Sequence, residues 1–136
     1  MELLRSLKIA ASGLGAQSQR MRIISENIAN SESTAEVKGG DPYRRKVVTF
    51  SQELDRSLGA TVVKAGKIKL DSSDFGLKHE PGHPAADEKG YIKTPNVNGM
   101  VEAMDMREAQ RSYEANLNVI TSARRMLAKT LDILRV

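Results

Sequence analysis

Cysteine is absent from this sequence. That excludes a disulfide framework, a thiolate metal site and a cysteine nucleophile. Tryptophan is absent too, and the aromatic share is only 4%: Phe50, Phe75, Tyr43, Tyr91 and Tyr113. A core built without them rests on Leu, Ile, Val, Met and Ala, which suits helix-on-helix packing better than a sandwich of sheets. No run of about 18 apolar residues occurs, so no single helix is expected to span a bilayer. The first helix-like stretch is broken by Arg5, Lys8 and Gln17-Ser18-Gln19-Arg20, unlike the apolar segment of a cleaved secretory signal. The expectation is a chain without such a signal, cytoplasmic unless another export route takes it.

Signals for catalysis and metal binding are equally sparse. Gly13 and Gly15 lie inside a heptad, not after a strand, so they form no phosphate-binding loop. Asp71 and Asp74 sit in polar sequence with no apolar surroundings to tune them. His79 and His83 are four apart, but Pro81 and Pro84 forbid the helix that would align them. No catalytic residue, metal site or cofactor is expected.

What is present is a chain of 136 residues, 40% hydrophobic and 28% charged, with a net charge of +4. This is the size and balance of one ordinary domain. The surplus is local. Lys38, Arg44, Arg45, Lys46, Arg56, Lys64, Lys67 and Lys69 face only Glu36, Asp41, Glu53 and Asp55 over the same span.

Three sections follow one another. In the first, Leu3, Leu7, Ala10, Leu14, Gln17, Met21, Ile24 and Ile28 recur at alternating steps of 4 and 3, a heptad with one polar member. Its stretch of small residues around Gly13 and Gly15 costs helix stability, about 1 kcal/mol per glycine relative to alanine, but lets another backbone approach closely. Asn30 is expected to end the helix in the left-handed conformation. In the third section, Ile120, Ala123, Leu127, Leu131 and Leu134 are spaced 3, 4, 4 and 3, an eleven-residue rhythm. Asn96 or Asn98 is the expected N-cap, with Glu102 and Asp105 in the early turns. The middle section holds all four prolines and most of the glycines. Its β-branched runs Tyr43 to Phe50 and Ala60 to Leu70 read as strands, Tyr91 to Thr94 as a third, and Phe75 to Lys89 as loop. The expected fold class is mainly α: two long terminal helices packed as a coiled-coil-like pair, with a small β-containing, loop-rich insert. The expected divisions are residues 1–30 and 97–136, forming one helical domain, and residues 31–96 as the insert. From the pattern alone the two seams suit either an ordinary two-helix hairpin closing over a small sheet or stripes shared with other subunits, which would favour polymerisation through contacts that do not close.

Particular residues carry a further resemblance. Ile23-Ile24-Ser25-Glu26-Asn27-Ile28-Ala29-Asn30 resembles the N-terminal signature of flagellar axial proteins of the rod and hook group. Ser112-Tyr113-Glu114-Ala115-Asn116 and Lys129-Thr130-Leu131-Asp132-Ile133 resemble the matching C-terminal helix. Tyr43-Arg44-Arg45-Lys46, His83-Pro84 with Asp87, and Gly90 through Asn98 are similar to the proximal-rod branch of the flagellar basal-body rod protein family. Gly39-Gly40 lengthens the loop before Asp41-Pro42. The resemblance covers essentially the whole chain. It implies a structural role: export in unfolded form through the flagellar type III system, and assembly in the periplasm into a drive shaft. The implied neighbours are sister proximal-rod proteins, the distal rod and the export-gate or membrane-ring adaptor, besides further copies of the chain itself.

On that reading Leu3, Leu7, Leu14, Met21, Ile24, Ile28, Leu117, Ile120, Leu127, Leu131 and Leu134 are expected at subunit interfaces. Asn27, Asn30, Tyr113 and Asn116 are the motif and helix-end residues. Arg44, Arg45 and Lys46 are expected to make polar contacts with acidic groups of neighbours. Met100, Met104, Met106 and Met126 read as adaptable packing. The rivals are another axial protein of rod or hook, and a basic coiled-coil module that binds nucleic acid; the latter would show a steep salt dependence.

Overall fold

Asn98 starts the longest element of the chain. Its side-chain Oδ1 accepts the amide hydrogens of Met100 and Val101, at 3.0 and 3.3 Å. Its carbonyl accepts the first intrahelical bond, from Glu102, the geometry of an N-cap. In the computed structural model, which describes residues 2–135, this helix, α2, runs Gly99–Leu134. The last residue of the expected helix, Val136, and Met1 lie outside the described residues. The first helix, α1, runs Glu2–Ala29. Between them lie strands β1 (Lys46–Asp55), β2 (Ala60–Leu70), β3 (Gly76–His79) and β4 (Tyr91–Thr94).

The expected mainly-α class is overturned. Helices take 48% of the described residues, and antiparallel strands take 22%, in two two-stranded sheets, β1-β2 and β3-β4. The chain is α+β. Two things lengthened the β part. The β1–β2 hairpin runs on through polar residues, because a tight turn holds its strands together. Asp55 Oδ1 accepts from the Ser57 amide and hydroxyl and from the Leu58 amide, and Gly59 supplies a φ of 57°. The segment Gly76–His79, expected as loop, becomes a strand because Tyr91–Thr94 offers it a partner, with Gly76 opposite Thr94 and His79 opposite Tyr91.

Two compact units share these elements. The first comprises residues 1–21, 48–67 and 107–136. In it α1 and α2 lie antiparallel: Gly13 is against Asn116, Arg20 binds Glu108 at 3.2 Å, and Leu3 shares a groove with Met126. The buried members are small, namely Ala10, Ala16, Ala109 and Ala123. A Cβ on Gly13 would stand 2.8 Å from Asn116 Nδ2, so this close approach requires glycine. The hairpin is tied to α1 where Ser12 Oγ accepts the Val63 amide hydrogen at 3.2 Å.

The second unit comprises residues 22–47 and 68–106. Ile23 and Ile24 are buried here. A small apolar cluster of Ala85, Ala86 and Ile92, with Ala35 against it, backs the β3–β4 pair. Asp87 Oδ1 accepts from the Lys89 and Tyr91 amides and Gly90 turns at a φ of 80°, which returns the chain into β4. α1 ends without the left-handed residue expected at Asn30: no described residue other than glycine has positive φ. Instead the Asn30 side-chain amide donates to the Glu26 carbonyl at 2.8 Å, beside the Asn30 backbone amide, which donates to the same oxygen at 3.1 Å.

Candidate functional site

The most buried polar groups of the second unit meet at one point. Asn27 is 1% exposed and Glu102 is fully buried. Asn27 lies on the inward face of the last two turns of α1, one turn after the buried Ile23 and Ile24. Its Nδ2 donates to the Lys46 carbonyl at 2.9 Å and to Glu102 Oε2 at 3.0 Å. Its Oδ1 accepts from the Tyr43 hydroxyl at 2.8 Å and from the Lys46 amide at 3.0 Å. All four hydrogen-bonding positions of a primary amide are thereby filled. One side chain joins the end of α1, the segment entering β1 and the first turn of α2.

Arg45 extends the cluster. Its Nε donates to Glu102 Oε1 at 2.5 Å, and its guanidinium also reaches Asp71 at 3.4 Å and Asp105 at 3.6 Å. Burial disfavours the Arg45 charge, but the hydrogen bonds and charges of Glu102 and Asp71 outweigh it and raise its pKa. Asn96, one of the two candidate caps, acts here and not at the helix start. Its Oδ1 accepts the Arg45 amide at 2.7 Å, and its Nδ2 donates to Asp71 and Ser73. Arg44 donates to the carbonyls of Asp71 and Ser73, both at 2.9 Å, and lies over the Phe75 ring at 4.1 Å. Lys46 pairs with Glu26 at 3.0 Å. That bond holds the Glu26 carboxyl below its ordinary value and lifts the Lys46 ammonium above its own. The Asp71 carboxyl is held low, first by the Ser73 amide and hydroxyl and then by Arg45. Burial pushes the Tyr43 phenol up.

Arg44, Arg45 and Lys46 were expected to meet acids of neighbouring subunits. All three find partners inside their own chain, among them carboxylates on both helices. Glu102 and Asp71 were not singled out for this. Glu102 could have been: it stands seven residues before Ala109 on the line that continues through Tyr113, Asn116, Ile120 and Ala123. A glutamate on an apolar line asks for a partner.

The seam residues divide. On α1, Leu3, Leu7, Leu14 and Met21 are half-buried, Ile24 is buried and Ile28 is exposed. On α2, Tyr113, Asn116 and Ile120 are half-buried while Leu117, Leu127, Leu131 and Leu134 are exposed, the last two at 57% and 75%. Leu3 is level with Met126, so the residues after Leu127 run beyond the start of α1, and nothing on that helix is left to face them. His79 packs its ring edge against Tyr91, with centroids 4.8 Å apart, and His83 Nδ1 accepts the Ala85 amide hydrogen. Among the described residues no group of three or more His, Asp or Glu is placed to hold a metal ion.

Two family models match this chain. The one described as flagella basal body rod protein covers residues 7–35, and the one described as flagellar basal body rod FlgEFG protein C-terminal covers residues 88–133. A flagellar basal-body rod protein FlgC of Agrobacterium fabrum is 55% identical over 128 residues, covering 94% of this chain and 92% of the relative. The chain belongs to the FlgC family. Further FlgC relatives are similar across nearly their full length: that of Borreliella burgdorferi at 39% identity, covering 99% of each chain, and that of Bacillus subtilis at 38%, covering 98% of this chain and 99% of the relative. As a FlgC-family member the chain is a structural subunit of the flagellar basal-body rod. The first matched stretch holds the α1 heptad from Leu7 onward and Asn27. The second holds Asn96, Glu102 and the part of α2 that packs on α1. Tyr43 to Lys46, which join the two ends through Asn27 and Glu102, lie between the matched stretches.

Proposed function

We propose that this chain is a proximal-rod subunit. It is exported unfolded through the flagellar type III system without a cleaved signal, and it assembles in the periplasm into the shaft that transmits torque and encloses the export channel. The observation that supports the reading best is the full-length similarity to rod proteins of the FlgC family. A shaft needs many repeated contacts in place of one catalytic centre, and a catalytic role is not part of this reading. The contacts we assign are apolar: Leu3, Leu7, Leu14, Met21 and Ile28 on α1, with Leu117, Ile120, Leu127, Leu131 and Leu134 on α2; Ile24, buried in its own chain, is left out of them. The exposed leucines at the end of α2 support this, because an apolar row without a partner in its own chain favours one in another. Residues 1–30 and 97–136 then act as one helical, axial part and residues 31–96 as the outer insert. The neighbours are other proximal and distal rod chains, the export-gate or membrane-ring adaptor and further copies.

The test is quantitative mass spectrometry of purified basal bodies with and without protease. The chain is expected there, with both terminal helices protected from cleavage. Its absence from basal bodies, together with a stable soluble chain in the cytoplasm, refutes the reading.

A further inference from the structure

Six asparagines occur in the sequence, and Asn98 alone is followed by glycine. The others precede Ile28, Ser31, Val97, Leu117 and Val119, whose side chains crowd the backbone nitrogen they carry. Gly99 has no Cβ to shield its nitrogen or restrict its backbone. Asn98 and Gly99 are both exposed, so water reaches the pair. In such a pair the glycine nitrogen can attack the asparagine side chain. The nitrogen gives its proton to solvent and bonds to Asn98 Cγ. The Cγ–Nδ2 bond breaks, and the amide nitrogen leaves as ammonia. Water then opens the cyclic imide at either of its two carbonyls. Opening at one restores the ordinary main chain with an aspartate in place of the asparagine. Opening at the other leaves an isoaspartate, whose main chain runs through the former side-chain carbon.

The fold holds this pair in a geometry that opposes the reaction. Asn98 Oδ1 accepts from the Met100 and Val101 amides at 3.0 and 3.3 Å. Swinging Cγ onto the Gly99 nitrogen breaks both bonds. The cap is also anchored from inside. The Asn98 carbonyl accepts from the amide of Glu102, and the buried Glu102 carboxylate is held by Asn27 and Arg45. We propose that Asn98 is a deamidation site governed by folding: it reacts in the unfolded chain and is protected once it caps α2. The two products then part ways. Aspartate caps a helix as well as asparagine does, and its charge suits the positive end of the helix dipole. Isoaspartate puts an extra carbon into the main chain at the cap. The Met100, Val101 and Glu102 amides then no longer find their acceptors in place, and the first turn that carries Glu102 loosens. This inference does not depend on the rod reading, since it concerns the chain's own chemistry in its two states.

The test incubates the full chain at mildly alkaline pH, in buffer and in denaturing urea side by side. Water enriched in heavy oxygen marks each opened imide, and peptide mapping by mass spectrometry locates it. In urea, Asn98 is expected to convert ahead of the other asparagines, to aspartate and isoaspartate together. In buffer the conversion is expected to be about tenfold or more slower, because the cap has to open first. A Cβ at Gly99 would meet nothing within 4 Å, so Gly99→Ala keeps the cap while placing a methyl beside the attacking nitrogen. It is expected to slow the reaction in urea several-fold. Asn98→Asp is expected to leave the urea midpoint of the chain in place, whereas chain aged in urea, refolded and enriched in isoaspartate melts at a lower one. No conversion at Asn98 in urea overturns the proposal, as does conversion in buffer as fast as in urea. So does a Gly99→Ala chain that reacts at the original rate, or an isoaspartate chain with an unchanged midpoint.

Discussion

Replacing Asn27 by alanine removes four hydrogen bonds from one buried point. The partners left behind are the Tyr43 hydroxyl, the Lys46 amide, the Lys46 carbonyl and Glu102 Oε2. Tyr43 and Lys46 are only half-buried, so water can reach some of these groups. The Glu102 carboxylate keeps Arg45 but loses its second donor. A buried group left unsatisfied costs about 1–3 kcal/mol, more when charged; with two of the four stranded, the expected loss is about 3–5 kcal/mol. Asn27→Asp tests the reasoning more sharply. It is the same size and keeps the acceptor for Tyr43 and the Lys46 amide, but it sets a second carboxylate against Glu102. It is therefore expected to be no milder than alanine. Combining it with Glu102→Gln moves the charge from one side chain to the other, and the double variant is expected to be more stable than the sum of the two single losses by about 1 kcal/mol or more. Urea denaturation of the full chain followed by circular dichroism measures the totals, and hydrogen exchange at the Lys46 amide reports the site itself. A loss below about 1 kcal/mol for Asn27→Ala, or losses for the Asp and Gln changes that simply add, would refute the view that this amide ties the three segments together.

Other consequences are independent of that cluster. Gly13→Val puts a branched side chain where a single Cβ already meets Asn116 at 2.8 Å, and is expected to cost about 1–3 kcal/mol by overpacking; Gly15→Ala, with nothing within 4 Å, should gain about 1 kcal/mol from helix propensity alone. Equal effects at the two glycines in thermal melts would contradict the close approach at Gly13. Gln17 has its Oε1 buried with no hydrogen-bond partner among the described residues, so Gln17→Leu should stabilise the chain by about 1 kcal/mol or more; a lower urea midpoint would contradict it. Glu26, Asp41 and Asp71 all have folded carboxyls held below their ordinary values, by the Lys46 and Lys93 ammonium groups and the Ser73 amide respectively. Their contribution is complete above the unfolded carboxylate range and is lost as pH falls through the lower folded values. Urea midpoints should therefore stay level from neutral pH down to about pH 5 and drop below about pH 4; a rise on acidification would refute the assignment.

The two terminal helices were legible because periodicity is local. Leu3 through Ile28 repeat every seven residues whatever they pack against, and no proline interrupts either helix. The turns at Asp55–Gly59 and Asp87–Gly90 follow from short side chains and glycine within a few positions. Strand β3 was not legible, because Gly76–His79 has little strand character of its own and is made a strand by pairing with residues twelve to eighteen positions away. The fold class departs from the expectation partly for the same reason and partly because β1 runs five residues beyond Phe50, to Asp55.

The polar cluster divides along the same line. That Asn27 closes a helix signature, and that Tyr43 to Lys46 form a basic run, can be read from neighbouring residues. That Asn27 and Arg45 converge on Glu102, 75 and 57 positions away, cannot: it depends on where two helices and a strand come to lie after packing. The identity of the chain as a rod protein and its apolar stripes were therefore set by patterns a few residues long. Which stripe is used within the chain and which is left for another was decided by the antiparallel register of the helices. That register puts Gly13 against Asn116 and leaves Leu131 and Leu134 beyond the start of α1, because a helix of 36 residues cannot be covered along its length by one of 28.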